Sequence, residues 1–269
     1  DKKVPQNLTY SEYKLSDIGM NIKLPDSMYI LTRDMKENDP SLKACNLTKD
    51  EVMDSFKASD TYIKAIEKNF SYDITVTMVK NSDTETVDNL TSLSDDEIQS
   101  VIDKLLAQSL YTGCSKSTFN NTQFLTLDLQ YDSSNTKIYG IQEYTVIKGT
   151  KVVVTFQSYD GEISDSQKSL LNTIMNSVTF DGIDSAEHVS SVASTSVSNL
   201  DIRYIYMILA SVVGIAALAA MIIVLIKYRH SSKIPENSTD KSEKPKTDVS
   251  DSFFKSEIYL ELGDTSSIK

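Results

Sequence analysis

Residues 125–158, LTLDLQYDSSNTKIYGIQEYTVIKGTKVVVTFQS, carry the pattern that decides the fold. Apolar and polar side chains alternate at its start, and the runs Lys137–Ile147 and Lys151–Ser158 are rich in β-branched and aromatic residues. Period-two alternation is typical of strands, and residues 132–135 and 148–150 have the composition of hairpin turns. The stretch therefore predicts three consecutive antiparallel strands.

Further strand patterns lie on the N-terminal side of this stretch. Residues 72–78 alternate in the same way, and short β-rich segments occupy 10–15, 20–24 and 28–31, followed by a polar loop over 33–40. Because each alternating strand has one polar face, the pattern predicts an antiparallel sheet that is covered on one side.

Three helices are predicted by the same start signal, a Ser or Thr followed three positions later by Glu or Gln. The pairs are Thr48 with Glu51, Ser94 with Glu97, and Ser164 with Gln167. Each pair precedes apolar residues at helical spacing, which indicates a helix packed on another layer. The sequence therefore predicts an α+β domain over residues 1–181, an antiparallel sheet with helices packed on one face.

Three segments of this domain carry a resemblance to a known family. They are MNIKLPDSMYILTRDMKENDP (20–40), LTKDEVMDSFKASDTYIKAI (47–66) and YTVIKGTKVVVTFQSYDGEISDSQKSLLNTIMNSVTF (144–180). These segments resemble exported domains of uncharacterised Gram-positive bacterial membrane proteins, and their closing pattern is similar to the PsbP/Mog1-like α+β fold. The resemblance implies an accessory or partner-binding role and assigns no functional residue.

A different kind of sequence follows at Tyr204–Ile226, YIYMILASVVGIAALAAMIIVLI, which contains neither charge nor proline. As a helix it would be roughly 34 Å long, enough to cross a hydrocarbon core of about 30 Å. The alternative, a buried helix of a soluble domain, is disfavoured because the run is apolar on all faces. We therefore expect a single transmembrane helix. Ala210, Gly214 and Ala217 fall on one of its faces, so a helix–helix contact in a homodimer stays open.

The flanking sequences predict the orientation of this span. Three basic residues lie within 227–233, whereas Arg203 alone is basic in the twenty residues before the span. The positive-inside rule therefore predicts a cytoplasmic tail over 227–269, disordered by composition, and an outer domain joined to the membrane by a Ser-rich stalk over 182–203. Because an outer domain must be exported, we expect a signal peptide removed before Asp1 and a location in the cell membrane.

The charge distribution narrows the expected partners. Residues 1–203 carry 30 acidic and 19 basic side chains, and the remaining residues carry 8 of each. This acidity disfavours nucleic acid and anionic lipid headgroups as targets of the outer domain. The expected partners are the lipid bilayer, through residues 204–226, and an unidentified protein or envelope component.

The two cysteines, Cys45 and Cys114, both fall in the predicted outer domain. An even number of cysteines in an exported domain makes a disulfide between them one possible arrangement. Two buried thiols that behave as small apolar side chains are the alternative.

Few residues suited to catalysis occur in the domain. The two histidines, His188 and His230, lie in the predicted stalk and just after the span, and no phosphate-binding or dinucleotide motif occurs. We therefore expect no catalytic residue, cofactor or metal in the domain, although pairs of carboxylates stay open. The leading hypothesis is a single-pass cell-surface protein with a non-catalytic binding or accessory domain. The alternatives are a transmembrane signalling subunit with the tail as output, and a carboxylate-based envelope hydrolase.

Overall fold

The alternating residues of the stretch 125–158 form three neighbouring strands of a large antiparallel sheet. The computed structural model describes residues 7–80, 87–133 and 136–181. The strands of the large sheet are β3 (Tyr29–Thr32), β4 (Thr61–Ile66), β5 (Tyr72–Lys80), β6 (Tyr111–Phe119), β7 (Thr122–Ser133), β8 (Thr136–Ile147) and β9 (Thr150–Ser158). Their spatial order is β3-β4-β5-β9-β8-β7-β6, and every neighbouring pair is antiparallel.

A smaller sheet and four α-helices complete the described fold. The small sheet has the order β1-β2-β10, with β1 at Tyr10–Leu15, β2 at Met20–Pro25 and β10 at Thr179–Phe180. The helices are α1 (Pro40–Cys45), α2 (Lys49–Ala58), α3 (Asp95–Leu106) and α4 (Asp165–Met175), with a short 3-10 helix at Leu90–Ser92. The described residues belong to one compact unit, and the α+β class expected from the sequence is confirmed.

All three helix starts predicted from the sequence are confirmed as capping boxes. In α3, the Ser94 hydroxyl accepts a hydrogen bond from the Glu97 backbone amide, while the Glu97 carboxylate accepts one from the Ser94 amide at 2.8 Å. Thr48 with Glu51 and Ser164 with Gln167 form the same reciprocal bonds at the starts of α2 and α4. Each box satisfies two backbone donors that a helix start would otherwise leave unpaired.

Replacing the cap of α4 tests how much this local signal contributes to stability. We expect Ser164→Ala to lower the free energy of unfolding by about 1 kcal/mol, because the backbone N–H of Gln167 loses the hydroxyl that accepts its hydrogen bond. Urea denaturation of the two proteins measures the change. The matched control is Ser169→Ala in the same helix, whose side chain is exposed and which should leave the denaturation midpoint almost unchanged. Equal effects of both substitutions would contradict this role of the cap.

Helices pack on both faces of the large sheet, so the prediction of one covered face is wrong. On one face, α4 and β2 pack against β5 and β9 through residues that include Ile174, Ile22 and Phe156. On the other face, α3 packs against β7 and β8, and α2 packs against β3 and β4. The alternating polar residues of β5 misled the prediction, because Asp73, Thr75 and Thr77 are themselves buried.

The predicted stalk, span and tail, which include Ala210, Gly214 and Ala217, lie outside the described residues. Within residues 7–80, 87–133 and 136–181, no helix is long and apolar enough to cross a membrane.

Candidate functional site

A groove opens on the surface where β1 passes over the ends of β3 and β4. Its volume is about 520 Å³. Residues of β1 and the following turn line part of it, and residues of β3, β4 and the segment after β3 line the rest. The lining residues are Glu12, Tyr13, Lys14, Leu15, Ser16, Asp17, Thr32, Arg33, Asp34, Tyr62 and Ile63. Below, this feature is called the β1–β4 groove.

Arg33 is held rigidly at the base of the β1–β4 groove. Its Nε donates to the carbonyl oxygen of Thr61 at 2.6 Å, and its Nη2 donates to the carbonyl oxygen of Phe56 at 3.3 Å. The guanidinium carbon lies 3.6 Å from the centroid of the Tyr62 ring, which is a cation–π contact. Because Phe56 is in the last turns of α2, Arg33 also neutralises the negative end of that helix. The groove is therefore built around a preorganised side-chain pair.

The acidic residues of the β1–β4 groove are partly oriented by hydroxyl groups. The Thr32 hydroxyl donates to Asp34 Oδ1 at 2.6 Å, and the Tyr62 side chain is hydrogen-bonded to Asp17. Burial is the main cause that raises the pKa of Tyr62, and Arg33 partly opposes this effect. Tyr62 therefore stays a hydrogen-bond donor at neutral pH. Glu12, Asp17 and Asp34 are exposed around it, so the groove combines carboxylates with aromatic rings.

A second polar site surrounds Glu143, which lies in the middle of β8 on the α4 side of the large sheet. Its side chain is 4% exposed, and Oε2 accepts hydrogen bonds from Thr126 at 2.8 Å and from Ser117 at 3.1 Å. Burial raises the pKa of the Glu143 carboxyl to about 7, against the opposing effect of the two hydroxyls. Glu143 can therefore hold or release a proton near neutral pH.

A second carboxylate, Asp128, lies close to Glu143. Across β7 and β8, Asp128 pairs with Ile141, and Thr126 pairs with Glu143. Asp128 and Glu143 are therefore diagonal neighbours on one face, with their Cα atoms about 7–8 Å apart. Gly113 makes room for Asp128, because a Cβ at this glycine would lie 2.8 Å from Asp128 Oδ2. The Glu143 carboxyl is buried and the Asp128 carboxyl is exposed, so the two carboxyls lie in different environments.

A third group of ionisable residues is fully buried on the opposite face of the sheet. Lys64 Nζ lies 2.6 Å from Asp73 Oδ2, and the two side chains are 1% and 0% exposed. The Tyr159 hydroxyl donates to the same Oδ2 at 2.7 Å and lies 3.1 Å from Gln157. These contacts form a continuous polar network beneath the surface.

The two cysteines, the site residues expected from the sequence, are not brought together. Cys45 is the last residue of α1 and belongs to the apolar cluster that contains the buried residues of α2. Cys114 lies in β6 and packs against a different apolar cluster, which contains the buried residues of α3. Both are free thiols. Six strand spacings of about 4.8 Å separate β3, beside α1, from β6 along the sheet, and a disulfide requires Cα atoms within about 7 Å. Burial raises the pKa of Cys45 to about 12 and that of Cys114 to about 11, so both thiols stay protonated.

Comparison with known proteins adds little to this description. No protein-family model and no curated protein matches the chain. A solved structure that resembles it is PA94 of Pseudomonas aeruginosa, a protein of unknown function. The two are 8% identical, the alignment covers 63% of this chain and 96% of that protein, and the TM-score is 0.29. Similarity at this level supports no conclusion about fold family or function.

Proposed function

We propose that this chain is a single-pass membrane protein of the cell surface whose acidic domain, with the PsbP/Mog1-like fold, is a non-catalytic binding or accessory module. The β1–β4 groove is the ligand site in this proposal, and its partner is a protein or an envelope component. The observation that carries the proposal is the fixed Arg33–Tyr62 pair at the base of an open groove of about 520 Å³. A preorganised site binds without the cost of ordering its own side chains.

The anchoring part of the proposal is supported by the apolar run at residues 204–226 and the basic residues that follow it. Protease treatment of intact cells should digest residues 1–181 and spare an epitope at the C-terminus, and alkaline carbonate should leave the chain in the membrane fraction. Protection of the domain, or release of the chain by carbonate, would contradict this topology.

The binding part can be tested with a photo-crosslinking residue at Tyr13, which lines the β1–β4 groove. In native membranes we expect one defined adduct from this position and none from Thr118, an exposed position on β6. Glu12→Lys should abolish the adduct, because it reverses a charge on the groove wall. Glu37→Lys makes the same charge change at an exposed site outside the groove and should preserve it. Equal adducts from positions 13 and 118 would contradict the proposal.

A second candidate, a carboxylate-based envelope hydrolase, is favoured by the pair of Glu143 and Asp128. The two residues are diagonal neighbours on one face of β7 and β8, and two-carboxylate glycosidases use a pair of carboxyl groups that flank one bond of the substrate. In this candidate Glu143 is the general acid, since burial raises the pKa of its carboxyl to about 7 and so lets it donate a proton near neutral pH. Purified chain should then release soluble fragments from envelope glycan, and Glu143→Gln and Asp128→Asn should each abolish the release. Activity that survives both substitutions would exclude this pair.

A further inference from the structure

The buried pair of Lys64 and Asp73 has a geometry that goes beyond an ordinary ion pair. Lys64 lies on β4 and Asp73 on the adjacent β5. Because Lys64 pairs with Thr75 and Ile66 pairs with Asp73, the two side chains are diagonal neighbours on one face of the sheet. Lys64 Nζ contacts Asp73 Oδ2 at 2.6 Å, and both side chains are almost completely removed from solvent.

The surroundings of Asp73 are unsuited to a stable carboxylate. A buried charge requires every one of its lone pairs to be satisfied, and Asp73 Oδ1 is buried without a hydrogen-bond partner among the described residues. Burial is the main cause that raises the pKa of Asp73, although Lys64 and Tyr159 oppose it. Transfer of one proton across the 2.6 Å contact would convert the ion pair into a neutral amine and a carboxylic acid.

We propose that Lys64 and Asp73 become joined by an amide bond between the side-chain nitrogen of Lys64 and Cγ of Asp73. The neutral amine attacks Cγ, so that a C–N bond forms. The transferred proton lies on Oδ2, so the bond from Cγ to Oδ2 breaks, and Oδ2 leaves as water with one proton from the carboxylic acid and one from the amine. Oδ1 stays as the carbonyl oxygen of the amide. No atom changes its oxidation state overall, and no co-reactant is required.

Tyr159 has the position of a group that assists this step. Its hydroxyl donates to Asp73 Oδ2 at 2.7 Å, the oxygen that takes up electron density as its bond to Cγ breaks and that leaves as water. A donor placed at that oxygen stabilises the charge as it develops. Burial raises the pKa of Tyr159 well above its ordinary value, so the donor proton is retained. The remaining acceleration of the reaction comes from proximity, since two groups held in contact react as if their effective concentration were about 10⁵–10⁸ M.

Mass spectrometry of the purified full-length chain tests this inference directly. We expect the intact mass to be lower than the sequence mass by one water molecule. Trypsin should fail to cleave after Lys64, and it should yield residues 58–68 covalently joined to residues 69–80. Full sequence mass with cleavage after Lys64 would overturn the proposal. Loss of water with Lys64 in an unlinked peptide would also overturn it, because that result indicates a cyclic imide at Asp73.

Two lysine substitutions test which amine forms the linkage, and a third substitution tests the role of Tyr159. Lys64→Met should restore the full sequence mass of the variant and abolish the joined peptide. Lys151→Met removes another lysine that is 1% exposed on the same face of the sheet and should leave the joined peptide intact. Tyr159→Phe should lower the fraction of joined peptide while both reacting groups remain. An unchanged fraction in Tyr159→Phe would remove the assisting role of Tyr159, and a joined peptide in Lys64→Met would assign the linkage to another amine.

Discussion

Asp73→Ala should lower the free energy of unfolding by about 3–5 kcal/mol relative to the chain in which Lys64 and Asp73 are not joined, because it removes the carboxylate 2.6 Å from the buried Lys64 amine. The Tyr159 hydroxyl loses an acceptor in the same substitution. A loss of this size is a large share of the 5–15 kcal/mol that typically stabilises a domain. Chemical denaturation monitored by circular dichroism measures the loss.

Two further variants distinguish a buried charge from a general loss of packing. The double substitution Lys64→Met with Asp73→Leu should recover most of the stability, since apolar residues of similar volume often replace a buried pair without cost. Asp181→Ala breaks the exposed pair with Lys14, where both side chains are more than half exposed, and should leave the denaturation midpoint nearly unchanged. If Asp181→Ala destabilises the domain as much as Asp73→Ala, burial is not the cause.

The second large effect is a dependence of the free energy of unfolding on pH, which Glu143 causes. The pKa of its carboxyl is about 7 in the folded protein, whereas its ordinary value is 4.5. Below pH 4.5 both the folded and the unfolded chain hold the proton, so no stability is lost. As pH rises from 4.5 through 7, the unfolded chain ionises first and the folded state is progressively destabilised. Since each pH unit in this window is worth about 1.4 kcal/mol, the loss approaches about 3 kcal/mol at pH 8.

Glu143→Gln should flatten this dependence, because the amide keeps the shape of the side chain without the charge. Unfolding at a series of pH values from 5 to 8 gives the slope for each protein. Asp128→Asn is the matched control, since it neutralises the exposed neighbour and should retain most of the slope. A slope that persists in Glu143→Gln would assign the pH dependence to other groups.

Local signals in the sequence predicted three of the four α-helices and most strands of the described fold. The three capping boxes were predicted because the residues that form them are three positions apart. Strand β6 was not predicted, because it is an edge strand whose residues between Tyr111 and Phe119 are exposed or half-buried and so lack alternation. Strand β4 was missed because the buried Lys64 interrupts its apolar pattern. Helix α1 was missed because six residues are too few to show helical periodicity.

The candidate sites depend on long-range contacts that no local pattern contains. Arg33 reaches Thr61 and Tyr62 from another strand, and Glu143 meets Ser117 and Thr126 only through the register of β6, β7 and β8. A glutamate within the apolar run 137–147 was the one available signal, because an acidic side chain in a buried strand requires partners. The identity of those partners could not be predicted without the strand order.

The pairing of β10 with β2 determines when the fold can be completed during synthesis. Thr179 pairs with Asn21, and Phe180 pairs with Met20. Residues of α4 and β10 also cover Met20, Ile22 and Leu24, which are fully buried in the finished domain. A growing chain therefore carries an uncovered apolar hairpin until residues 165–180, which include α4 and β10, have been made, an exposed state that favours aggregation. Strands β1 and β2 thus precede all other elements of the described fold in the chain and are among the last to be covered.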